Sequence, residues 1–450
     1  MSHVVHAPPA SRIRLRRIDL SAGDDETLVR SLSRRKGAAD PAIRRDVARI
    51  LAGVRAGGDD AVRAANRQFG GGLPDGRLVL GRAELERASH DLPRDIAAAL
   101  RQAIDHVERF AMTQRPATSR TTIADGIEIE RRWVPLDRVG CYVPGGSAPY
   151  PSSLVMTVVP ARVAGVSSIV VASPAARDGR LDPVLLGAAG LLGVDELVVA
   201  GGAQAVGALA FGLPASGMQP VDKIVGPGNA WVTAAKLEVS AEVSVDLPAG
   251  PSEGMVLADG DAEPALVAAD LVTQAEHGPD SPAILVTTSR TLADLVEAEI
   301  DALLPRLERR EILARSLAEH GAIVLAPDLG RALEVVNAYA PEHLSVDVVD
   351  LEATVAGIRH AGSVFVGRWA PESAGDYATG ANHVLPTGGF ARACGPLSVE
   401  AFGHYVQVQR LTRNGLARIR QSVVVLATAE GLTAHRNAIE VRFRNVPGGR

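Results

Sequence analysis

Cysteine is nearly absent: Cys141 and Cys394 are the only two in 450 residues. Two thiols cannot build a disulfide framework or an all-cysteine zinc site, so a chain of this length has to rest on a full-sized apolar core. Aromatic residues are scarce at 3%, against 46% hydrophobic residues overall, the composition of an ordinary soluble globular protein of about two or three domains. An excess of one charge is also missing, since 47 Lys+Arg against 52 Asp+Glu leave a formal charge of -5. With no long basic block, nucleic acid is not an expected partner, and a small polar substrate fits better. The N-terminal MSHVVHAPPASRIRLRRIDL has basic residues but no apolar stretch to serve as a signal core, which predicts a cytoplasmic protein. The run from Leu197 to Val221 carries no charge, yet its five glycines and two prolines suit a buried strand with its loops rather than a membrane span. No His-Glu-x-x-His or paired-cysteine motif is present, so any metal must be gathered from distant parts of the chain.

What is present is a change of texture. From about Asp24 to Arg115 apolar residues recur every three or four positions with Gly as stops, which predicts a helical flank. Short β-branched runs then alternate with helical windows. Strand is expected at 167–174, helix at 182–193 and strand at 195–202, a unit of parallel-sheet type. A second series follows, with strand at 283–289, a charged helix from about Thr291, strand at 322–327 and a helix from Asp328 to about Tyr339. After about Phe390 the pattern predicts a tail with short strands such as VVVLATAEG.

Three glycine-rich turns, VPGGSAPYPSS, AGGAQAVG and GPGNAW, follow apolar runs, where a nucleotide could meet the carboxyl ends of strands. Trp231 stands where a dinucleotide fingerprint would have its third Gly, and Gly with Pro marks a turn whether or not a ligand sits there. In DAEPALVAADLVTQAEHGPD a helix is expected, opened by Asp261, with Gln274 and His277 three apart on one face. That spacing lets both meet one metal ion, although an isolated pair of this kind is more commonly a surface or satisfied core pair. Glu342 and His343 adjoin at a helix end in YAPEHLS, a loop setting for a general base beside a water-activating carboxylate, or simply two solvated residues. Asp376, Asn382 and His383 crowd PESAGDYATGANHVLPT, and Glu430 precedes His435 by five residues.

These segments, with DLPAGPSE and EGLTAH in the same order, resemble the histidinol dehydrogenase family over about residues 30 to 440. The resemblance implies an α/β fold of two interleaved, incomplete Rossmann-like halves with parallel sheets, a helical N-terminal flank and a C-terminal tail that reaches the dimer partner. The divisions it suggests are an arm at 1–30, a half carrying most metal and catalytic residues at 31–130 and 245–388, an NAD-binding half at 131–244, and a tail at 389–450. It further implies oxidation of L-histidinol to L-histidine through L-histidinal, with NAD and one zinc per subunit, as the last step of histidine biosynthesis. Matched by position, Gln274, His277, Asp376 and His435 are the zinc ligands, and Glu342 and His343 are catalytic. Ser252 and Glu430 join the metal ligands and His343 around the substrate, and Tyr142, Gln204 and Asn229 contact NAD. Glu430 and His435 would act across a homodimer. Gly403, His404 and Ser147 depart from the family pattern. The alternative is a paralogue oxidising another small alcohol such as a sulfonated diol. A pocket with Glu342, Asp376 and Glu430 around one metal favours an amine over a sulfonate.

Overall fold

The computed structural model describes residues 13–20, 41–145, 149–246 and 250–444, so most of the expected 1–30 arm and Ser147 lie outside it. The chain divides into two compact units, Met1–Gln114 with Leu136–Phe402, and Arg115–Pro135 with Gly403–Arg450.

The larger unit holds two six-stranded sheets. One is wholly parallel, in the order Arg16–Asp19, Ala322–Leu325, Ala283–Thr287, Gly254–Ala258, His343–Asp347, Ser363–Val366. Strand residues alternate between faces. Val256 and Ala258 therefore enter a core with helix Pro264–Glu276, while Met255 and Leu257 enter another with helix Leu329–Tyr339. Both faces are covered, which is why these strands read as unbroken apolar runs.

The second sheet runs Val79–Gly81, Glu196–Val199, Ser168–Ser173, Arg138–Tyr142, Lys223–Val225, Ser244–Val245, parallel except for its first strand. Its helices begin where the local chemistry predicts. Asp182 caps Pro183–Leu191 by accepting from the amides of Val184 and Leu185, with Pro183 in the first turn.

Three expectations are corrected. Residues 41–113 were grouped with the metal-bearing half, but Val47, Leu51 and Val54 pack with Val170 and Val198, and Leu85, Leu100 and Val107 with Val139 and Val171, on the second sheet. Amphipathic periodicity shows that a helix has an apolar face without saying which sheet it covers. The expected glycine stop is present at Gly58, whose φ of 49° and ψ of -128° are non-helical, so that Pro41–Phe69 is two helical runs meeting at a kink. Asp261 does not cap its helix, which starts at Pro264 after Glu263. VVVLATAEG is not a strand, because Val423–Val425 lie within helix Arg413–Ala429, capped by Thr412 through the amide of Gly415. β-branched residues prefer strands only weakly, and a capped run of good helix formers overrides them.

In the smaller unit, Gly403–Leu411 pairs antiparallel with Ile127–Pro135, which pairs with Ser119–Ala124. Gly403 is required there: a Cβ would lie 2.3 Å from the Trp133 ring. His404, the neighbouring departure, is exposed.

Candidate active site

The chemistry-bearing residues of the first sheet gather at the amino ends of its strands. Gly254 and His343 open adjacent strands and face one another in register. Helix Pro264–Glu276 brings Gln274 over them, so closely that a Cβ on Gly254 would lie 2.6 Å from Gln274 Cγ. The helix Leu329–Tyr339 ends at Ala340, whose φ of 56° turns the chain sharply into the strand. Glu342 and His343 are therefore not the solvated loop pair the sequence allowed. They are 6% and 3% exposed.

A directional network ties the groups together. His343 Nδ1 donates to Gln274 Oε1 at 3.2 Å, and Gln274 Nε2 donates to Ser252 Oγ at 3.2 Å. Ser252 Oγ donates to Glu342 Oε2 at 2.8 Å, and the Glu253 amide donates to the same oxygen at 2.9 Å. Because a carbonyl oxygen only accepts, this order places the proton of neutral His343 on Nδ1 and leaves Nε2 as the base. That Nε2 is buried without a hydrogen-bond partner and lies 3.9 Å from Asp376 Oδ1. His277 Nε2 lies 4.0 Å from Asp376 Oδ2, and the two imidazoles stack with centroids 5.9 Å apart. The ligand atoms of His277, Glu372 and Asp376 fall within 4.8 Å of one another. A mixed N/O set with an unpartnered buried imidazole nitrogen beside it suits a divalent cation such as zinc and leaves room for substrate atoms. His383 Nδ1 donates to the backbone oxygen of Asp376 at 2.9 Å, which holds that carboxylate's helix in place.

Burial dominates the electrostatics. It pushes His343 down to about 3, helped by His277 and His383. It raises Glu342 well above the usual carboxylate range, with Glu253 and Asp376 adding to the effect. Burial likewise raises Glu372 well above that range, with Asp376, Glu342 and Asp270 contributing, and raises Asp376 against the opposing pull of His383 and His277. No arginine or lysine pairs with these carboxylates among the described residues; their ionic neighbours are histidines.

One turn before Gln274, Asp270 is pushed up to about 6 by burial, against a hydrogen bond from Ser345. The folded state thus holds this proton more tightly than the unfolded chain, so stability falls as pH rises from about 4 to about 6 and stays lower above that. Asp270→Asn is expected to stabilise the protein at about pH 7 by on the order of 1–3 kcal/mol, with no gain at about pH 4. Urea unfolding at the two pH values checks this, and an equal gain at both would count against it.

In the second sheet, Tyr142, Gln204 and Asn229 all line one cleft of about 760 Å³ at the carboxyl ends of the strands, together with Gly201, Gly202 and Trp231. Tyr142 Oη accepts from the Gly202 amide at 3.2 Å, and Asn229 caps helix Ala230–Val239 through the amides of Trp231 and Val232. Gly226, with φ 116°, passes so near Tyr142 that a Cβ would lie 2.1 Å from its carbonyl oxygen. The turn is held by the buried Lys236–Asp246 pair: Lys236 Nζ donates to the Gly226 carbonyl at 2.8 Å, and Asp246 accepts from its amide at 2.6 Å.

The fold thus gathers Ser252, Gln274, His277, Glu342, His343 and Asp376 in one cluster and Tyr142, Gln204 and Asn229 in one cleft. Glu430 caps helix Arg413–Ala429 and His435 lies in helix Thr433–Glu440; both are exposed and belong to the smaller unit. Glu372 was not foreseen. Its signal was available, since it stands four residues before Asp376, a spacing that puts two carboxylates on one helix face.

Comparison with known proteins places this geometry. A family profile described as histidinol dehydrogenase matches residues 33–443. The histidinol dehydrogenase of Methanothermobacter thermautotrophicus is 44% identical over 399 residues, spanning 89% of this chain and 93% of its own. That of Mycobacterium tuberculosis is 44% identical over 445 residues, 97% of this chain and 99% of its own. The crystal structure of histidinol dehydrogenase from Elizabethkingia anophelis matches with a TM-score of 0.89 at 32% identity, covering 96% of this chain and 98% of that one.

Proposed function

The chain belongs to the histidinol dehydrogenase family, and from that premise we propose how it carries out the family reaction, the oxidation of L-histidinol to L-histidine through L-histidinal in histidine biosynthesis. The observation that carries the mechanism is the network from His343 to Glu342, which presents an unpartnered imidazole nitrogen beside a buried carboxylate. Gln274, His277 and Asp376, with His435 of a second copy, would hold one zinc ion. When bound, zinc supplies a template that fixes the amine and imidazole of the substrate. Tyr142, Gln204 and Asn229 would hold NAD in their cleft, two molecules in succession, each accepting one hydride.

His343 takes the hydroxyl proton through Nε2 as the carbinol carbon gives up hydride. Glu342 then removes a proton from the water that hydrates the aldehyde, and His343 serves again as base for the second oxidation. The Ser252 and Glu253 donors keep the Glu342 carboxylate turned toward the site throughout. Ser252 and Glu430 complete the substrate pocket. The exposure of Glu430 and His435 supports a homodimer in which both enter the neighbouring copy's site. The free thiols of Cys141 and Cys394 are in keeping with a reducing, cytoplasmic setting. No helix of the described residues is long and apolar enough to cross a membrane. That no arginine or lysine among the described residues pairs with the carboxylate cluster favours an amine substrate over a sulfonated one.

Stoichiometry tests this directly. The zinc-loaded protein is expected to form two NADH per histidinol consumed, to stop after chelation and to resume when zinc is returned. One NADH per substrate, or turnover indifferent to chelator, contradicts the mechanism.

A further inference from the structure

Glu372 is 3% exposed, and its Oε1 has no hydrogen-bond partner. That oxygen lies 3.8 Å from His277 Nδ1 and 3.8 Å from His343 Nδ1. The opposite edges of the same rings face Asp376, at 4.0 Å from His277 Nε2 and 3.9 Å from His343 Nε2. Two stacked imidazoles are thus bracketed by two carboxyl groups one helical turn apart, each addressing one kind of ring nitrogen. Both Nδ1 atoms also face oxygens of Gln274, the backbone carbonyl at 3.3 Å for His277 and Oε1 at 3.2 Å for His343. An oxygen only accepts from a ring nitrogen here, so both rings carry their proton on Nδ1.

We propose that Glu372 is a positioning residue for both imidazoles, a second acceptor that shares with Gln274 the Nδ1–H of His277 and of His343 so that each Nε2 stays an open lone pair turned toward Asp376. A shift of about 1 Å brings its oxygen to ordinary hydrogen-bond length from both donors. One side chain then orients a metal-binding imidazole and the catalytic base together, an arrangement in which an outer carboxyl fixes ring tautomer and direction. The carboxyl can accept in either protonation state. This rests on the reading that histidinol is oxidised at this site.

The test compares Glu372→Leu, of similar bulk but unable to accept, with Glu372→Gln, whose amide oxygen can. With histidinol and NAD, Glu372→Leu is expected to lose about 100-fold in kcat with KM changed less than about 3-fold, and Glu372→Gln to stay within about 10-fold of the parent. In the cobalt-loaded proteins the visible absorption band should shift in Glu372→Leu and return in Glu372→Gln, with metal stoichiometry unchanged in both. Unaltered kcat in Glu372→Leu overturns the proposal, as does a Gln variant no better than Leu. Loss of metal from both variants makes Glu372 a ligand and overturns it equally. If Glu372→Leu fails to fold, Glu372→Asp, which withdraws the acid by one methylene, should show the same kcat loss at constant KM. If the parent itself does not oxidise histidinol, the proposed function fails, and the cobalt bands still decide the role of Glu372.

Discussion

His343→Asn is expected to lower the rate of both oxidation half-reactions by roughly 10²–10⁴-fold, with histidinol and with histidinal alike, because one general base serves both hydride transfers. The expectation follows from the geometry around the ring. Gln274 fixes the proton on Nδ1, and Nε2 is buried with no competing partner. Asparagine can retain the contact to Gln274 but has no basic nitrogen. Burial holds His343 near 3, far below its ordinary value, so it is unprotonated across neutral pH in the resting site. Single-turnover absorbance of NADH with each substrate separates the two steps. If one step kept its full rate, the base for that step would have to be another group.

Glu342→Gln has the second largest effect, and it is selective. Aldehyde oxidation is expected to fall by roughly 10²–10⁴-fold while alcohol oxidation stays within about 10-fold of the parent. Glutamine preserves the contacts from Ser252 Oγ and the Glu253 amide, so the loss reports the missing base rather than a rearranged site. The pH sign is also determined. Burial raises Glu342 well above the usual carboxylate range, and only its ionised form takes a proton from water. Aldehyde oxidation in the parent should therefore rise with pH through that elevated value, and the variant should lack this limb. Equal losses in the two half-reactions would show that Glu342 is not confined to the hydration step.

The lesson of the sequence comes from particular residues. Asp182, Asn229 and Asp328 cap helices where an Asp or Asn precedes an apolar-periodic run. The apolar strands at 168–173, 196–199, 283–287 and 322–325 fall inside the windows expected for them. Glu342 and His343 show the opposite case. Their place after Ala340 and Pro341 at a helix end suggests a solvated loop, yet packing beneath Gln274 buries them both. Glu372 is plainer still: its four-residue spacing from Asp376 is legible, but its burial and its distance to two rings are set by the tertiary structure.

By itself the sequence determined the alternation of strands and helices, the aliphatic cores and, through its ordered segments, the family. Those signals act over a few residues or add up along the chain: capping atoms reach two or three positions, and periodicity needs only the local backbone. The tertiary structure alone decided which sheet the N-terminal helices cover, that Val423–Val425 are helical, and that residues from Ser252 to His383 share one cluster. It also decided the chemistry of that cluster, because a carboxyl group is raised, or an imidazole nitrogen left open, by the groups that packing brings within about 4 Å of it.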